Sequence, residues 1–588
     1  MIKQSILKKP ILKKSGNQKE KTDYNNQSFV KYIELPEPLL GNNTADVERL
    51  KSVLKKDIGT DTLFFPTNLA TDFPLKLRSW CHKVKVVLFR DSRGWRVVDI
   101  LAPDKDKPVL GIAADLGTTR IVLRLINLEN LAVCGELGFD NPQASIAPDV
   151  LARIHHARTS KGISELQKLV IDAFNRNINL LCTNFSNNSI NLEAQTVPPK
   201  PIQTVPSQPI QTVALQPVQT VSPKPVDAIS SQSVHLLTVA GNSAMTHLFL
   251  GIDPSFLIRE PYIPAVNAPE PLGAAELGIT INKRGMIYLF PNIGSYFGGD
   301  LISGILFAQL HKKDAPCIMV DVGTNAEVVV GYRDWLIACA GAAGPALEGG
   351  ISDMGMTAKP GVIDRVKIDP VTGVVEIHTI EEKPAIGICG SGMIDLAAQL
   401  FLSGMLDIRG KFVPEQCGHR YFEKEGVGCF CLVYGSGQNI ESSSGLSSDS
   451  DIVLTQVEMN SLTSSKAAMY SILQVIIEKT AGLQFNDLEK FYVAGTFGSF
   501  INPESAISIG MLPDIPLEKF EVLGNSSLEG AAKLLMEPDS FEEIELIRQG
   551  ITYIELNVNQ EFMNIFSGAK FYPHTDKSRF PSVRIHEQ

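Results

Sequence analysis

The sequence predicts an α/β protein in which two similar halves face each other across a cleft, preceded by a small α/β unit. The main observation is a strand–turn–strand pattern that occurs twice, with its turn at residues 115–119 and again at 321–325. In both copies an aspartate ends the first strand and a glycine follows two positions later. Two unrelated hairpins are the alternative, but the matching aspartates favour a duplication.

Length, composition and charge exclude several classes of protein. The chain has 588 residues, 44% of them hydrophobic, which is enough for several domains, and no apolar run approaches the ~20 residues that span a bilayer. A net charge of -10 argues against nucleic-acid binding. Nine thinly spread cysteines fit a reducing compartment better than a disulfide framework. We therefore expect a cytoplasmic protein that binds neither nucleic acid nor a membrane.

Composition also predicts the domain boundaries. Residues 1–44 are polar and begin with many lysines, which predicts a disordered basic tail, with contact to an acidic partner as the alternative. Residues 45–108 combine a helical pattern with two strands around the turn at 91–94 and predict the small α/β unit. The first half then spans 109–310 and the second half 311–588.

Two low-complexity stretches interrupt these halves. Residues 190–232 contain an octad repeat in which Gln-Thr-Val recurs between proline-rich spacers. Such a stretch cannot build a core and predicts an extended surface insertion, with a proline-recognising partner as the alternative. Residues 435–452 are serine-rich and predict a mobile loop.

The two aspartate–glycine turns have the composition of phosphate-binding loops. Glycine lets the backbone approach a phosphate closely, and hydroxyl or amide side chains add hydrogen-bond donors. A single carboxylate at the end of a strand suits hydrated Mg2+. The candidate phosphate contacts are Gly117, Thr118, Thr119, Gly323, Thr324 and Asn325, and the candidate metal ligands are Asp115 and Asp321.

A third glycine-rich turn follows the strand predicted at 488–493. It precedes Asn502 and Pro503, which are typical of the start of a helix. Such a corner allows a purine or ribose to lie against the backbone, and close packing of helix on strand is the alternative. The candidate residues are Gly495, Thr496, Phe497 and Gly498.

Small residues mark two further helices, at 298–307 before the second loop and at 524–532 after the glycine corner. Small side chains allow two helices to approach closely, as a hinge between two halves requires, and static packing is the alternative. The order of the five elements is phosphate loop, hinge helix, second phosphate loop, adenosine corner and second hinge helix.

This order resembles the superfamily of acetate and sugar kinases, chaperone ATPases and actin, the ASKHA or actin-like ATPase superfamily. The resemblance implies a duplicated ribonuclease-H-like fold with ATP between the lobes. It further implies that Asp115 and Asp321 serve the metal, that the two loops bind the phosphates, and that 495–498 lie beside the adenosine.

Several stretches are more specifically similar to the ATP-dependent reductive activators of corrinoid proteins. They include Asn141-Pro142-Gln143, Ala240-Gly241-Asn242, the run at 340–361, Gly387 to Gly392, and Tyr572-Pro573-His574. The similarity covers residues 75–583 and includes a linker-like small unit. It implies that ATP hydrolysis promotes reduction of a cobalt(II) corrinoid protein, or corrinoid-dependent methyltransferase, to cobalt(I). A homodimer is compatible with it.

The cysteine pattern departs from that family, whose members usually carry a ferredoxin-like iron–sulfur domain. Residues 1–108 contain only Cys81, and no cysteine follows Cys431. The closest pair, Cys429 and Cys431, is consistent with ordinary strand residues, with a metal or redox role as the alternative. We predict no iron–sulfur cluster and a separate ferredoxin or flavoprotein as electron donor. A small-molecule kinase and a nucleotide-gated binding protein without turnover remain alternative functions.

Three further side chains are weaker candidates. A catalytic base for hydrolysis is a carboxylate or amide that positions water, and Asp300 and Glu327 are the candidates. The alternative is a helix-start acid or a solvated strand residue. Lys466 can reach a nucleotide from its helix, whereas a lysine on an amphipathic helix usually faces water.

Overall fold

The computed structural model describes most of the chain outside its first 27 residues. The described residues are 28–104, 106–188, 229–323, 326–333, 335–341, 354–435, 451–495, 501–555 and 560–584. The start of the predicted basic tail, the octad repeat and nearly all of the serine-rich loop lie outside these ranges.

The small N-terminal domain is a four-stranded sheet with three helices. Its elements are β1 Val30–Glu34, α1 Asp46–Ile58, β2 Leu63–Phe64, α2 Thr67–Ala70, α3 Phe73–Ser79, β3 Lys83–Asp91 and β4 Gly94–Leu101. The strand order is β1-β3-β4-β2. The predicted helix and hairpin are both present, so this is the α/β unit that the sequence predicts.

The prediction that the disordered tail extends to residue 44 is wrong. Strand β1 pairs antiparallel with β3, with Val30 opposite Val87. Phe29, Val30 and Ile33 are buried, whereas Tyr32 and Glu34 face solvent. The domain therefore begins before residue 45. A single short strand with one polar face resembles a polar tail in composition, and only its pairing distinguishes the two.

The first half of the main body contains a six-stranded sheet in the order β7-β6-β5-β8-β10-β9. Its strands are β5 Leu110–Leu116, β6 Arg120–Asn127, β7 Val133–Asp140, β8 Val234–Gly241, β9 Leu272–Gly273 and β10 Met286–Leu289. Its helices are α4 Val150–His156, α5 Ser160–Asn188, α6 Ser243–Leu250 and α7 Gly299–Ala308.

The second half contains a six-stranded sheet in the order β21-β20-β11-β12-β13-β22 and two three-stranded sheets, β15-β14-β16 and β17-β18-β19. The strands are β11 Cys317–Val322, β12 Ala326–Tyr332, β13 Trp335–Gly341, β14 Val362–Ile368, β15 Val375–Thr379, β16 Gly387–Ile388, β17 Tyr421–Lys424, β18 Val427–Val433, β19 Ile452–Thr455, β20 Lys490–Ala494, β21 Phe520–Gly524 and β22 Ile551–Glu555. The helices are α8 Gly390–Leu402, α9 Pro414–Cys417, α10 Gln456–Gln474, α11 Pro503–Ser508, α12 Ser526–Met536, α13 Ser540–Gly550 and α14 Gln560–Ala569.

The two large sheets repeat one topology. In the first, β7, β6 and β5 are antiparallel neighbours, and β8 and β10 continue the sheet parallel to β5. In the second, β13, β12 and β11 are antiparallel, and β20 and β21 continue parallel to β11. This is the duplicated α/β fold of the actin-like ATPases, as the sequence predicts.

The three largest apolar cores among the described residues define the layers. One core lies between the first sheet and helices α5 and α6. Another lies between the second sheet and helices α8 and α10. The third joins the inner faces of both sheets to α7, α12, α13 and the small domain. Helices α7, α12 and α13 thus form a middle layer between the halves.

Candidate functional site

Three aspartates approach one another between the halves. Asp115 lies near the end of β5, Asp321 near the end of β11, and Asp300 in the first turn of α7. Burial, followed by the charges of Asp321 and Asp115, raises the pKa of Asp300 to about 7. Burial and the charge of Asp115 raise the pKa of Asp321 to about 6. The site is therefore a concentration of negative charge that a cation would stabilise.

The carboxylate of Asp115 is held by the beginning of α12. Its Oδ2 accepts a hydrogen bond from Asn525 Nδ2 at 2.9 Å, and its Oδ1 accepts one from Ser527 Oγ at 2.9 Å. Asn525 also caps the helix, because its Oδ1 accepts from the backbone N–H of Leu528 at 2.9 Å. Burial raises the pKa of Asp115, and the two hydrogen bonds oppose that rise.

Two asparagines hold the first predicted phosphate loop in place through hydrogen bonds. Asn242 Nδ2 donates to Thr118 Oγ1 at 3.0 Å, while Asn242 Oδ1 caps α6. Asn141 Nδ2 donates to the carbonyl of Gly117 at 2.9 Å, and its backbone N–H donates to the carbonyl of Thr119 at 2.8 Å. These contacts set the shape of the turn.

The second predicted loop is described only in part. Gly323 is exposed, and a Cβ added to it would meet no atom within 4 Å. Thr324 and Asn325 lie outside the described residues. Glu327, the second candidate base, is directly opposite Asp321 in the β11–β12 ladder, so the two side chains leave the same face of the sheet.

The glycine corner requires a glycine at position 495 for steric reasons. The φ of Gly495 is +86°, and a Cβ there would lie 2.6 Å from Asp321 Oδ1 and 2.9 Å from the carbonyl oxygen of Val322. The corner therefore packs directly against the second aspartate. Thr496, Phe497 and Gly498 lie outside the described residues. Helix α11 follows, capped by the side chain of Asn502 as predicted.

Lys466 is not brought to the three aspartates. Its side chain is fully buried, so the alternative that it faces water is wrong. The Nζ donates to the carbonyls of Phe571 and Pro573 and lies 4.8 Å from the ring centroid of Tyr572. These contacts anchor the C-terminal segment on α10. A contact of Lys466 with a nucleotide stays a prediction.

The two predicted hinge helices cross very closely. A Cβ on Gly530 of α12 would lie 2.0 Å from the carbonyl oxygen of Ser303 of α7, and one on Gly304 would lie 2.8 Å from Ser526 Oγ. Ser303 Oγ donates to the carbonyl of Ser527 at 2.7 Å. The crossing therefore places the first turn of α12, which binds Asp115, beside α7, which carries Asp300.

Sequence reasoning missed Ser527 and gave no role to Asn141, Asn242 or Asn525. Asn242 and Asn525 carry a usable signal, because each stands at the start of a helix that follows a strand. Ser527 carries none, since its contact with Asp115 joins residues that are far apart in the sequence.

The close cysteine pair lies away from this site, in β18. Both residues are buried, and the thiols of Cys429 and Cys431 donate to the carbonyls of Val427 and Val433 at 3.4 Å. They are strand residues, as the simpler interpretation predicts. Across the described ranges, no group of three or more His, Cys, Asp or Glu side chains is arranged to hold a metal ion. In the same ranges, no helix is long and apolar enough to cross a membrane.

Comparison with known proteins finds a matching family model for the small domain and for each half. The model of the RACo linker region matches residues 17–107, and the RACo middle region matches 110–198 and 208–313. The C-terminal, ASKHA domain of RACo matches 315–584. The solved structure of a reductive activator for a corrinoid, iron–sulfur protein superposes with a TM-score of 0.76 at 32% identity, covering 96% of this chain and 82% of that one.

Two further relatives are also named for the activation or reduction of corrinoid proteins. The corrinoid activation enzyme RamQ of Eubacterium limosum is 26% identical over 481 residues, which is 80% of this chain and 72% of the relative. A reductase of the cobalt(II) methylated amine-specific corrinoid protein from Methanosarcina barkeri is 26% identical over 300 residues, covering 47% of this chain and 49% of that protein. The chain therefore belongs to the RACo family, the reductive activators of corrinoid proteins that its motifs resemble.

Proposed function

We propose that this protein binds ATP with Mg2+ between its two halves and couples hydrolysis to the reduction of an inactive cobalt(II) corrinoid protein to cobalt(I). The electron comes from a separate ferredoxin or flavoprotein. The observation that carries the nucleotide part is that Asp115, Asp300 and Asp321 are buried near enough for the charges of the first and third to act on the second, beside two glycine-containing turns. Membership of the RACo family supports the corrinoid part.

The residues of the site fit a magnesium ion. Burial raises the pKa values of all three aspartates, and the charges of neighbouring aspartates raise those of Asp300 and Asp321 further. A divalent cation between them would offset this penalty. Mg2+ keeps several waters and binds few carboxylates together with substrate phosphates, so it does not require a preformed cluster. Asp115 and Asp321 would hold it. When bound, it would neutralise the phosphate oxygens during hydrolysis.

Asp300 is the better candidate for the general base. A pKa of about 7 suits proton transfer at neutral pH, since the group can both accept and release a proton there. Its Oδ1 accepts a hydrogen bond from its own helix at Leu301, which fixes the carboxylate at the start of α7. Glu327 lies opposite Asp321 and remains the second candidate.

Coupling requires that the nucleotide changes the relation of the two halves. Asp115 belongs to the first half and is bonded to Asn525 and Ser527, which follow strand β21 of the second sheet in the chain. A ligand that competes for the Asp115 carboxylate would therefore weaken its hydrogen bonds to Asn525 and Ser527 and shift α12. Closure of the halves in this way would favour the state of the bound corrinoid protein that is more easily reduced.

An external electron donor fits the cysteines of this chain. Cys429 and Cys431 are buried and bonded to backbone carbonyls, and burial raises the pKa of Cys431 to about 11. Thiols with a raised pKa are poor redox groups, because the thiolate is the reactive form. The electron then passes from the donor to the cobalt while this protein supplies the conformational work.

The test is phosphate release from Mg-ATP, with and without a cobalt(II) corrinoid protein and a reduced low-potential donor, while cobalt(I) absorbance is followed. We expect both signals to rise together and to be lost in Asp115→Asn and Asp321→Asn, but not in Asp172→Asn, a partly exposed control on α5. ATP turnover without cobalt(I) would refute the corrinoid client, and a phosphorylated small molecule would identify a kinase.

A further inference from the structure

A buried arginine lies behind the first phosphate loop. Arg153 of α4 is completely shielded from solvent. Its Nε donates to the carbonyl of Ala147 at 3.0 Å, and its Nη1 lies 3.1 Å from the sulfur of Met245. Its Nη2 has no hydrogen-bond partner among the described residues. Neither contact partner carries a charge.

This guanidinium has no counter-ion in contact. Within the described part of the chain no carboxylate forms an ion pair with it, and Asp149 acts on it only at longer range. The Asp149 side chain is exposed and accepts from the backbone N–H of Ala152. Burial lowers the pKa of Arg153 to about 10, so the group keeps its positive charge at neutral pH. By contrast, the equally buried Lys85 is paired with Glu129.

Met245 connects this charge to the loop. Its sulfur lies 4.0 Å from Asn141 Nδ2, the atom that donates to the carbonyl of Gly117. Its backbone N–H donates to Asn242 Oδ1, and Asn242 Nδ2 in turn donates to Thr118. Arg153 therefore adds its charge at the first turn of α6, the positive end of a helix that faces the loop.

A positive charge near this site would help it to hold a polyphosphate. Three aspartates approach one another between the halves, and a polyphosphate adds further negative charge. A cation buried in protein is weakly screened by salt, so it acts over several ångströms without touching the ligand. Because a buried unpaired charge is costly, an arginine without a counter-ion needs a compensating anion.

We propose that Arg153 is a positioning residue whose charge attracts the phosphates of the nucleotide to the first loop. Its charge favours each ligand in proportion to the negative charge of that ligand, so the contribution to affinity decreases in the order ATP, AMP, adenosine. The inference rests on the proposed nucleotide binding and assigns the source of selectivity for the triphosphate.

The test is calorimetric binding of ATP, AMP and adenosine, each with Mg2+, to the full chain. Arg153→Gln should weaken ATP binding by about tenfold and AMP binding less, and leave adenosine binding unchanged. Arg153→Lys, which keeps the charge, should restore most of the ATP affinity. Arg420→Gln is the matched control, because this arginine of the second half also donates to backbone carbonyls.

Equal weakening of all three ligands, or no weakening, would overturn the role of the charge. If the wild-type chain binds none of them, the proposed function fails first. If Arg153→Gln does not fold, Asp149→Asn decides the question, because asparagine retains the helix cap and removes the opposing charge. It should strengthen ATP binding about twofold at low salt with adenosine unchanged, and an unchanged ATP affinity would refute the proposal.

Discussion

The carbonyl oxygen of Ser303 occupies the space that a side chain on Gly530 would need. An added Cβ would lie 2.0 Å from that oxygen and 2.4 Å from Ser303 Oγ. Glycine is thus required where α7 and α12 cross, and the distance between the helix axes is set by backbone contact. A crossing this close transmits a shift of one helix to the other.

Gly530→Ala should separate the two helices. We expect a loss of about 1–3 kcal/mol in the free energy of unfolding, since the clash is with backbone and cannot be relieved by a rotamer. Urea unfolding measures it. Gly550→Ala at the end of α13 is the control, because a Cβ there meets nothing within 4 Å. Equal stability of both variants would contradict the close crossing.

Phe541 joins α13 to the small domain. Its ring lies 4.9 Å from that of Tyr288 and 6.5 Å from that of Phe89, between centroids. Phe541→Ala should cost about 3–5 kcal/mol and speed hydrogen exchange in β3, because the shared core would lose its central ring. Leu546→Ala is the control, on the same helix but 59% exposed. Unchanged exchange in β3 would rule out this link.

The Lys466→Met variant distinguishes a structural role of the lysine from a contact with the nucleotide. The methionine keeps most of the volume but leaves the carbonyls of Phe571 and Pro573 without a donor. We expect a loss of about 1–3 kcal/mol in stability and an unchanged ATP affinity. Lys479→Met, at an exposed position, should change neither. A drop in ATP affinity at full stability would instead support the nucleotide contact.

His574 should make stability depend on pH. Burial, followed by the charges of Lys466 and Arg579, lowers its pKa to about 4 from 6.5. The unfolded chain therefore binds the proton more tightly, so this contribution is complete above pH 6.5 and is lost as the pH falls towards 4. His574→Gln should reduce the loss of stability between pH 7 and 4.5 by about 1–2 kcal/mol. The exposed His155→Gln should leave the slope unchanged, and an unchanged slope in both variants would contradict the shift.

Local patterns predicted the duplicated sheets and the positions of the aspartates, because each depends on a strand period and a turn. They could not predict that Ser527 binds Asp115, since that contact depends on how α12 crosses the molecule. The burial of Lys466 could not be predicted either. Lysines on helices usually face solvent, and the carbonyl that Lys466 binds belongs to a residue far along the chain. The contacts of Thr324, Asn325 and 496–498 stay predictions.

Helix α12 has a consequence for biosynthesis. It follows strand β21 of the second sheet in the chain, yet Leu528, Ala531 and Leu535 pack in the core on the inner face of the first sheet, and Thr238 of that sheet bonds to the carbonyl of Ala531. On the ribosome, the first sheet is therefore complete long before its cover has been translated. The part of the inner face that α12 covers stays apolar and exposed until residues 526–536 emerge, so we expect the first half to be prone to aggregation in the interval.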